Sequence, residues 1–256
     1  MNDNQKYHAD TSRASKSSLD LIHQAPAKYH AKYLDPNAPK PEQKNYFNFG
    51  SAFHCAVLEP ELFRNEYIVA PSFSGVGSVA KKQEFDQVNH DKKQISLADY
   101  QKIQGMAESV KGNPKIARLL SSGEAEKQFN WIDTVTGARC KCKPDWITPD
   151  GYIVDLKSTD DASDEGFKRS ARKYRYFVQD AFYTDGVEAN GIEVKGFIFV
   201  AVEKGYPYLS NSFIYPDSEQ EIGRETYRDD LQLWLKCQET GIYEGYGNDI
   251  KNLEIW

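Results

Sequence analysis

The segment Lys143-Pro-Asp-Trp-Ile-Thr-Pro-Asp-Gly-Tyr-Ile-Val-Asp-Leu-Lys157 carries two aspartates and a lysine at a spacing that a β-hairpin brings together. With a three-residue turn at 149–151, Thr148 pairs with Tyr152. Counting back then sets Asp145 opposite Asp155, with Cβ atoms roughly 5 Å apart. A two-residue turn would shift every pairing by one and spoil that register. Side chains alternate along a strand, so Asp155 and Lys157 share a face. Like charges facing each other across a sheet are destabilising unless something offsets them. A divalent cation does so, since Mg²⁺ takes one or two carboxylates together with phosphate oxygens and water. The lysine can then orient or deprotonate an attacking water. A surface hairpin with solvated charges would show the same pattern, so the surrounding elements have to decide.

Those elements change character along the chain. Ser15 to Pro26 reads as a capped short helix, with Ser15 or Ser17 as cap and Pro26 as its stop. Tyr29 and Tyr33 suit a second short helix, and Asp35 to Lys44, with three prolines, is a loop. Asn48 to Leu58 reads as a buried helix that Pro60 ends, carrying His54 among Phe49, Phe53, Ala56 and Val57. The Gly- and Ser-rich stretch Pro71 to Lys82 reads as a mobile loop flowing into a charged helix. Leu97 to Leu120 adds more helix, with a break near Asn113-Pro114. Strands are expected at Phe129 to Thr134, Arg139 to Ile147 and Tyr152 to Lys157. One long helix from Asp164 to Glu188 follows, then strands Val194 to Val202 and Tyr208 to Ile214, and a last helix from Ser218 to Thr240. The pattern is that of one α/β or α+β domain.

Composition narrows the function class. With 256 residues, 39% hydrophobic and 13% aromatic, the chain is long and apolar enough for a real core and is not disordered. No run approaches the ~20 apolar residues of a membrane span, and Met1 to Ser18 lacks a signal-peptide core. No membrane contact is therefore expected. Four cysteines are no disulfide framework, so a reducing, cytoplasmic setting is the expectation. The net charge of −6 means that any contact with nucleic acid must use a local basic patch.

Pro144-Asp145 with Asp155-Leu156-Lys157 resembles the core of the PD-(D/E)xK nucleases. Further blocks resemble the RecE-type (exodeoxyribonuclease VIII) branch of the RecB-like nucleases. They are Tyr7-His-Ala-Asp-Thr-Ser, Ser15-Lys-Ser-Ser-Leu-Asp-Leu-Ile, Gly50-Ser-Ala-Phe-His-Cys-Ala-Val-Leu-Glu-Pro60, Thr136-Gly137, Asp155 through Ser163, and Tyr174-Arg-Tyr-Phe-Val-Gln-Asp-Ala-Phe-Tyr-Thr-Asp-Gly186. The resemblance implies a restriction-endonuclease-like α/β fold, a mixed central sheet flanked by helices. One exonuclease domain would span 1–256, with an N-terminal helical segment at 1–60 and the nuclease core at 125–215. It implies a metal set of His54, Asp145, Asp155 and Leu156, with Lys157 as catalytic lysine and Gln179 and Tyr183 as the Gln-x-x-x-Tyr pair. Glu126 matches an acidic position ahead of the first core strand. Each has a plainer alternative: His54 a hydrogen-bonded core residue, Gln179 and Tyr183 a packing pair at i and i+4, Glu126 a solvated acid.

The resemblance further implies Mg²⁺, with Mn²⁺ substituting, and 5′→3′ digestion of linear double-stranded DNA to leave 3′ overhangs. Expected partners are duplex ends, a RecT-type single-strand annealing protein in a phage or prophage recombination role, and further copies of the chain in a closed ring, most simply a tetramer. The aromatic-rich tail from Ile242 to Trp256 is a candidate for part of that subunit interface. The cations Lys168, Arg169, Arg172, Lys173 and Arg175 suit phosphate contacts. Arg172, Tyr176, Gln179 and Tyr183 would form one stripe on an unbroken helix. Trp131 and Trp146 are expected in the core or its rim. Cys55, Cys140, Cys142 and Cys237 lack the clustered spacing of an iron–sulfur site, so neither a cluster nor zinc is expected. Two alternatives stay open: a RecB-like nuclease acting on single strands or as an endonuclease, and a DNA-binding module without catalysis.

Overall fold

The computed structural model describes residues 3–39, 49–250 and 252. Its N-terminal part runs α1 (Asp3–Ala9), α2 (Lys16–Gln24), α3 (Pro26–Tyr33), α4 (Phe49–Leu58), α5 (Pro60–Glu66), β1 (Tyr67–Val69), α6 (Ser78–Val88), β2 (Lys93–Ile95), α7 (Leu97–Gly112) and α8 (Pro114–Leu119). The core continues with β3 (Glu124–Ala125), β4 (Phe129–Ile132), β5 (Arg139–Cys142), β6 (Trp146–Ile147), β7 (Tyr152–Thr159), α9 (Asp164–Lys173), α10 (Tyr176–Glu188), β8 (Gly196–Glu203), β9 (Ser210–Phe213) and α11 (Asp217–Thr240). Of the sequence expectations, Met1 and Asn2, Lys40 to Asn48, Lys251 and Leu253 to Trp256 lie outside the described residues.

The central sheet has the order β3-β6-β7-β8-β9. Only β7 and β8 are parallel, and their connection contains α9 and α10, as a parallel crossover requires. The sheet is mixed and both its faces are covered. Ile153, Phe197, Phe199 and Ala201 pack with residues of α2, α9, α10 and α11. Val154, Leu156, Val200 and Val202 pack on the other face with α4 and α7, through Phe53, Ala56, Ile103 and Met106. Alternation along β7 and β8 thus divides one apolar strand pair between two cores. The expected mixed sheet flanked by helices is the observed architecture.

Local chemistry explains the boundaries. Ser15 caps α2 through a capping box with Ser18, so Ser15 rather than Ser17 is the cap. Asn113 caps α8 ahead of Pro114, which places the break where proline tolerates only a first turn. Pro60 closes α4 but also opens α5 as its first residue. Three expectations are corrected. The stretch Arg139 to Ile147 is two strands, because β4 and β5 form a separate hairpin and β6 alone joins the central sheet. The expected helix Asp164 to Glu188 is broken at Tyr174 and Arg175, where Arg175 takes a left-handed conformation with φ 55°. That break removes Arg172 from any continuous stripe with Tyr176, Gln179 and Tyr183. The parallel pair β1–β2 and helix α1 are additions to the elements expected from the sequence.

The β4–β5 hairpin lies across α10. Trp131 packs on Phe182 with ring centroids 4.7 Å apart. Gly186 permits this approach, since a Cβ there would lie 2.6 Å from the Trp131 ring. Trp131 is a core residue, and Trp146 packs at the edge of the second core with its Nε1 donating to the Leu119 carbonyl at 3.0 Å. In α6 no residue is buried. No helix among the described residues is long and apolar enough to cross a membrane.

Candidate active site

The turn at 149–151 has the three-residue form. Thr148 N donates to the Tyr152 carbonyl at 2.9 Å, and Trp146 and Ile147 pair with Val154 and Ile153. Gly151 holds φ 90°, and a Cβ there would overlap the Glu193 carbonyl. One step further in this register stand Asp145 and Asp155, but β6 ends at Trp146, so Asp145 leaves the ladder. The Leu156 N–H, which has no strand opposite it, donates to Asp145 Oδ2 at 2.8 Å. In an extended residue the N–H and C=O project from the same edge. The Leu156 carbonyl therefore leaves the strand on the same edge as this N–H.

Three further elements converge on this strand end. From α4, His54 Nδ1 lies 3.3 Å from Asp145 Oδ2. From the end of β3, Glu126 N donates to the Asp145 carbonyl at 3.1 Å. Glu126 itself sits at φ 52°, a left-handed conformation that is uncommon without glycine and clusters at functional sites. Its carboxylate pairs with Lys143 Nζ at 2.5 Å. His54, Glu126 and Asp145 each present one ligand atom, and these atoms lie within 4.8 Å of one another.

Asp155 is the buried member, 2% exposed. Gln179 Nε2 donates to its Oδ1 at 2.5 Å, and Lys157 Nζ stands 2.6 Å from its Oδ2. That oxygen is buried with no hydrogen bond aligned on it. Lys157 Nζ also donates to Gln179 Oε1 at 3.1 Å, so the Gln179 amide bridges the acid and the base. The ring of Tyr176 lies under the same ammonium, 4.7 Å from centroid to Nζ.

The charges polarise this cluster. Burial works to raise the Asp145 carboxyl, but His54, Lys157 and the Leu156 N–H outweigh it and hold the group below its ordinary range. Asp155 moves the other way: burial, reinforced by the Asp145 charge, outweighs Lys157 and pushes it up. Burial opposes the charged form of Lys157, yet Asp155, Asp145 and Tyr176 more than restore it. His54 is likewise raised against burial by Asp145. Two carboxylates pushed apart beside a retained ammonium form a polarised site rather than a solvated hairpin. A divalent cation fits the donor set of one imidazole and two carboxylates that His54, Glu126 and Asp145 present, with Asp155 beside it held by Gln179 and Lys157.

The expected residues divide as follows. His54, Glu126, Asp145, Asp155, Leu156, Lys157 and Gln179 are brought together. Tyr183 lies one turn beyond Gln179, edge-on to Phe197 at 6.1 Å, with burial pushing its hydroxyl well up. Lys168, Arg169, Arg172 and Lys173 are exposed on α9, with Arg169 3.2 Å from Asp161. Arg175 departs from the expected basic face: its guanidinium is held by Asp20 of α2 and Asp230 of α11. Cys140 and Cys142 are buried on the hairpin strand β5, and all four cysteines are free thiols. The contact of Tyr176 with Lys157 is new with the structure. Its position three residues before Gln179 was the available signal, since i and i+3 share a helix face.

Comparison with known proteins matches residues 15–249 to the profile of a PDDEXK-like domain of unknown function (DUF3799). No protein of curated function matches the sequence. Among solved structures, a candidate exonuclease from Eubacterium rectale superposes with a TM-score of 0.66 at 14% identity, covering 94% of this chain and 88% of the other. An alkaline exonuclease from Laribacter hongkongensis covers 74% and 90% at 12% identity and a TM-score of 0.36. A phage-related exonuclease from Haemophilus somnus covers 90% and 96% at 12% identity and a TM-score of 0.38. Of these three likenesses, only the first is close enough to speak for the fold.

Proposed function

Since the chain belongs to the family of PDDEXK-like domains, we propose that it is a metal-dependent exonuclease that digests linear double-stranded DNA from 5′ to 3′. The observation that carries this reading is the meeting of His54, Glu126 and Asp145 within 4.8 Å, beside the Asp155–Gln179–Lys157 cluster. His54, Glu126, Asp145 and Asp155 would hold Mg²⁺ or Mn²⁺, with the Leu156 carbonyl on the strand edge nearest Asp145 as a further candidate ligand. Bound there, the ion supplies Lewis-acid stabilisation of charge developing on a phosphate. Lys157, kept protonated by Asp155 and Asp145, orients a water or a phosphate oxygen by donation from Nζ. Gln179 fixes both neighbours in their rotamers, the task of a supporting residue. The exposed cations Lys168, Arg169, Arg172 and Lys173 lie on the helix that enters this end of the sheet, where they suit contacts to a DNA backbone.

Strand polarity, the 3′ overhang handed to a RecT-type annealing protein, and a homotetrameric ring around DNA follow from the RecE-like resemblance. The decisive experiment incubates the protein with linear and with circular duplex, with and without Mg²⁺, each strand end-labelled in turn. Loss of the 5′ label from linear DNA alone, only with metal, is expected. Cutting of circles or preference for single strands would replace the exonuclease reading with another activity of the same site. No cleavage in Mg²⁺ or Mn²⁺ would leave a DNA-binding module. Light scattering giving a monomer, with digestion still processive, would remove the ring.

A further inference from the structure

Tyr174, at the joint between α9 and α10, keeps 51% of its surface exposed although its ring is held in place. It lies nearly parallel to Tyr176, with centroids 5.9 Å apart and planes at 22°. Tyr176 stacks in turn on the fully buried Phe199 at 5.4 Å and 17°. Three rings therefore make a ladder from core to surface, and the middle rung seats Lys157. The joint is fixed on both sides, because Arg175 is tied to Asp20 and Asp230 and Lys16 Nζ donates to the Tyr174 carbonyl at 2.6 Å.

The surroundings of the exposed rung are cationic. Lys173 Nζ stands 5.2 Å from the Tyr174 centroid, and Arg172 and Lys168 are exposed within the same helix end. A flat ring immobilised beforehand and flanked by cations binds nucleic acid by stacking a base and pairing with adjoining phosphates. Lys173 covers the ring only with a flexible, solvent-exposed stem, so it can move aside to a phosphate. From Tyr174 to Lys157 Nζ there are two steps, of 5.9 and 4.7 Å through Tyr176, about the reach of one nucleotide from the ammonium.

We infer that Tyr174 is a stacking platform for a nucleobase of the DNA strand next to the phosphate being cleaved, with Arg172 and Lys173 on the flanking phosphates. The inference rests on the nuclease reading and adds to it a substrate contact. The test uses linear duplexes carrying 2-aminopurine, whose fluorescence falls on stacking, at each of the last few positions of either strand. Binding is read in Ca²⁺ to slow cleavage, and digestion rates are read in Mg²⁺. Tyr174→Ala is expected to lose the quench at one position and to raise KM about tenfold, within the range one base–aromatic stack supplies, with a smaller change in kcat. Tyr174→Phe and Tyr174→Trp should restore both. Wild-type KM and quench in a folded Tyr174→Ala would overturn the inference. So would an unchanged quench accompanied by a changed molecular mass, which would assign the ring to a subunit contact. If the wild type bound with a quench that Tyr174→Ala lost, yet digested no DNA, the platform would stand and the nuclease reading would fall.

Discussion

Replacing Arg175 with alanine asks whether that side chain holds the protein together or touches DNA. Its guanidinium bridges Asp230, whose side chain is 6% exposed, and Asp20, which is 26% exposed. Breaking a buried pair from one side costs about 3–5 kcal/mol, because the remaining charge stays buried. Here Asp230 keeps His23 Nδ1 at 3.0 Å and Asp20 keeps Lys16 Nζ at 2.6 Å, which points to the lower end, about 3 kcal/mol near pH 8. In a domain of this size that corresponds to roughly 6–12 °C in Tm. Burial already raises the Asp230 carboxyl despite Arg175 and His23, so its ionisation opposes folding as pH rises above the ordinary carboxylate range. Without Arg175 the folded-state value climbs further. The deficit should therefore be smallest near pH 4, where folded Asp230 is largely protonated and the unfolded carboxyl is about half ionised, and grow toward pH 8. Urea denaturation across that range checks it. Arg175→Gly should be about 1 kcal/mol milder than Arg175→Ala, since the left-handed backbone no longer carries a Cβ. Arg175→Ala with Asp230→Asn should recover part of the loss. The reasoning is refuted if Arg175→Ala melts like wild type. It is equally refuted if the variant lowers the salt slope of DNA binding by about one, the mark of a phosphate contact.

Three other outcomes are expected. Gly151→Ala should destabilise the fold by at least about 1 kcal/mol and weaken cleavage, because a Cβ at φ 90° overlaps the Glu193 carbonyl and disturbs the turn that registers Asp145 with Asp155; thermal melts and nuclease rates read it. Gln179→Leu should lower cleavage about 10- to 100-fold with the fold retained, through loss of the bridge between Asp155 and Lys157, whereas a rate within twofold of wild type would make Gln179 a packing residue. Burial raises Asp180 to about 6, so its ionisation costs stability that is absent near pH 4 and full above pH 6. Asp180→Asn keeps an acceptor for Gln220 and should gain about 2 kcal/mol at pH 8 and almost nothing at pH 4, measured by denaturation at both.

The hairpin at 143–157 was legible because its turn carries Pro149-Asp150-Gly151 and its strands alternate, so register followed from counting. The mixed sheet was legible because β7 and β8 are apolar runs separated by helical sequence. Glu126 could be named but not placed. Its position depends on a two-residue strand and a left-handed backbone at a residue that normally avoids one, and neither leaves a periodic trace. The break before α10 was hidden for the same reason, since an arginine held by two distant aspartates does what a glycine or proline usually announces. Proximity in sequence groups Arg175 with the neighbouring cations, whereas long-range pairing turns it inward. The roles of Gln179 and Tyr176 around Lys157 depend on how α10 meets β7, a matter of packing that one chain's sequence does not encode locally.

Helix α6 joins two parallel neighbours, β1 and β2, and buries none of its residues. Its 11 residues are short for a helix sustained by its own hydrogen bonds, with a Phe73–Phe85 contact and a Lys82–Asp86 pair as reinforcement. Amide hydrogens there should exchange with solvent far sooner than those of α10. Sequence in that crossover is under little packing constraint, so insertions, deletions and new surface chemistry are tolerated there at small cost. New residues in that arm would remake one surface of the protein and leave both packed cores, and the strand end between them, as they are.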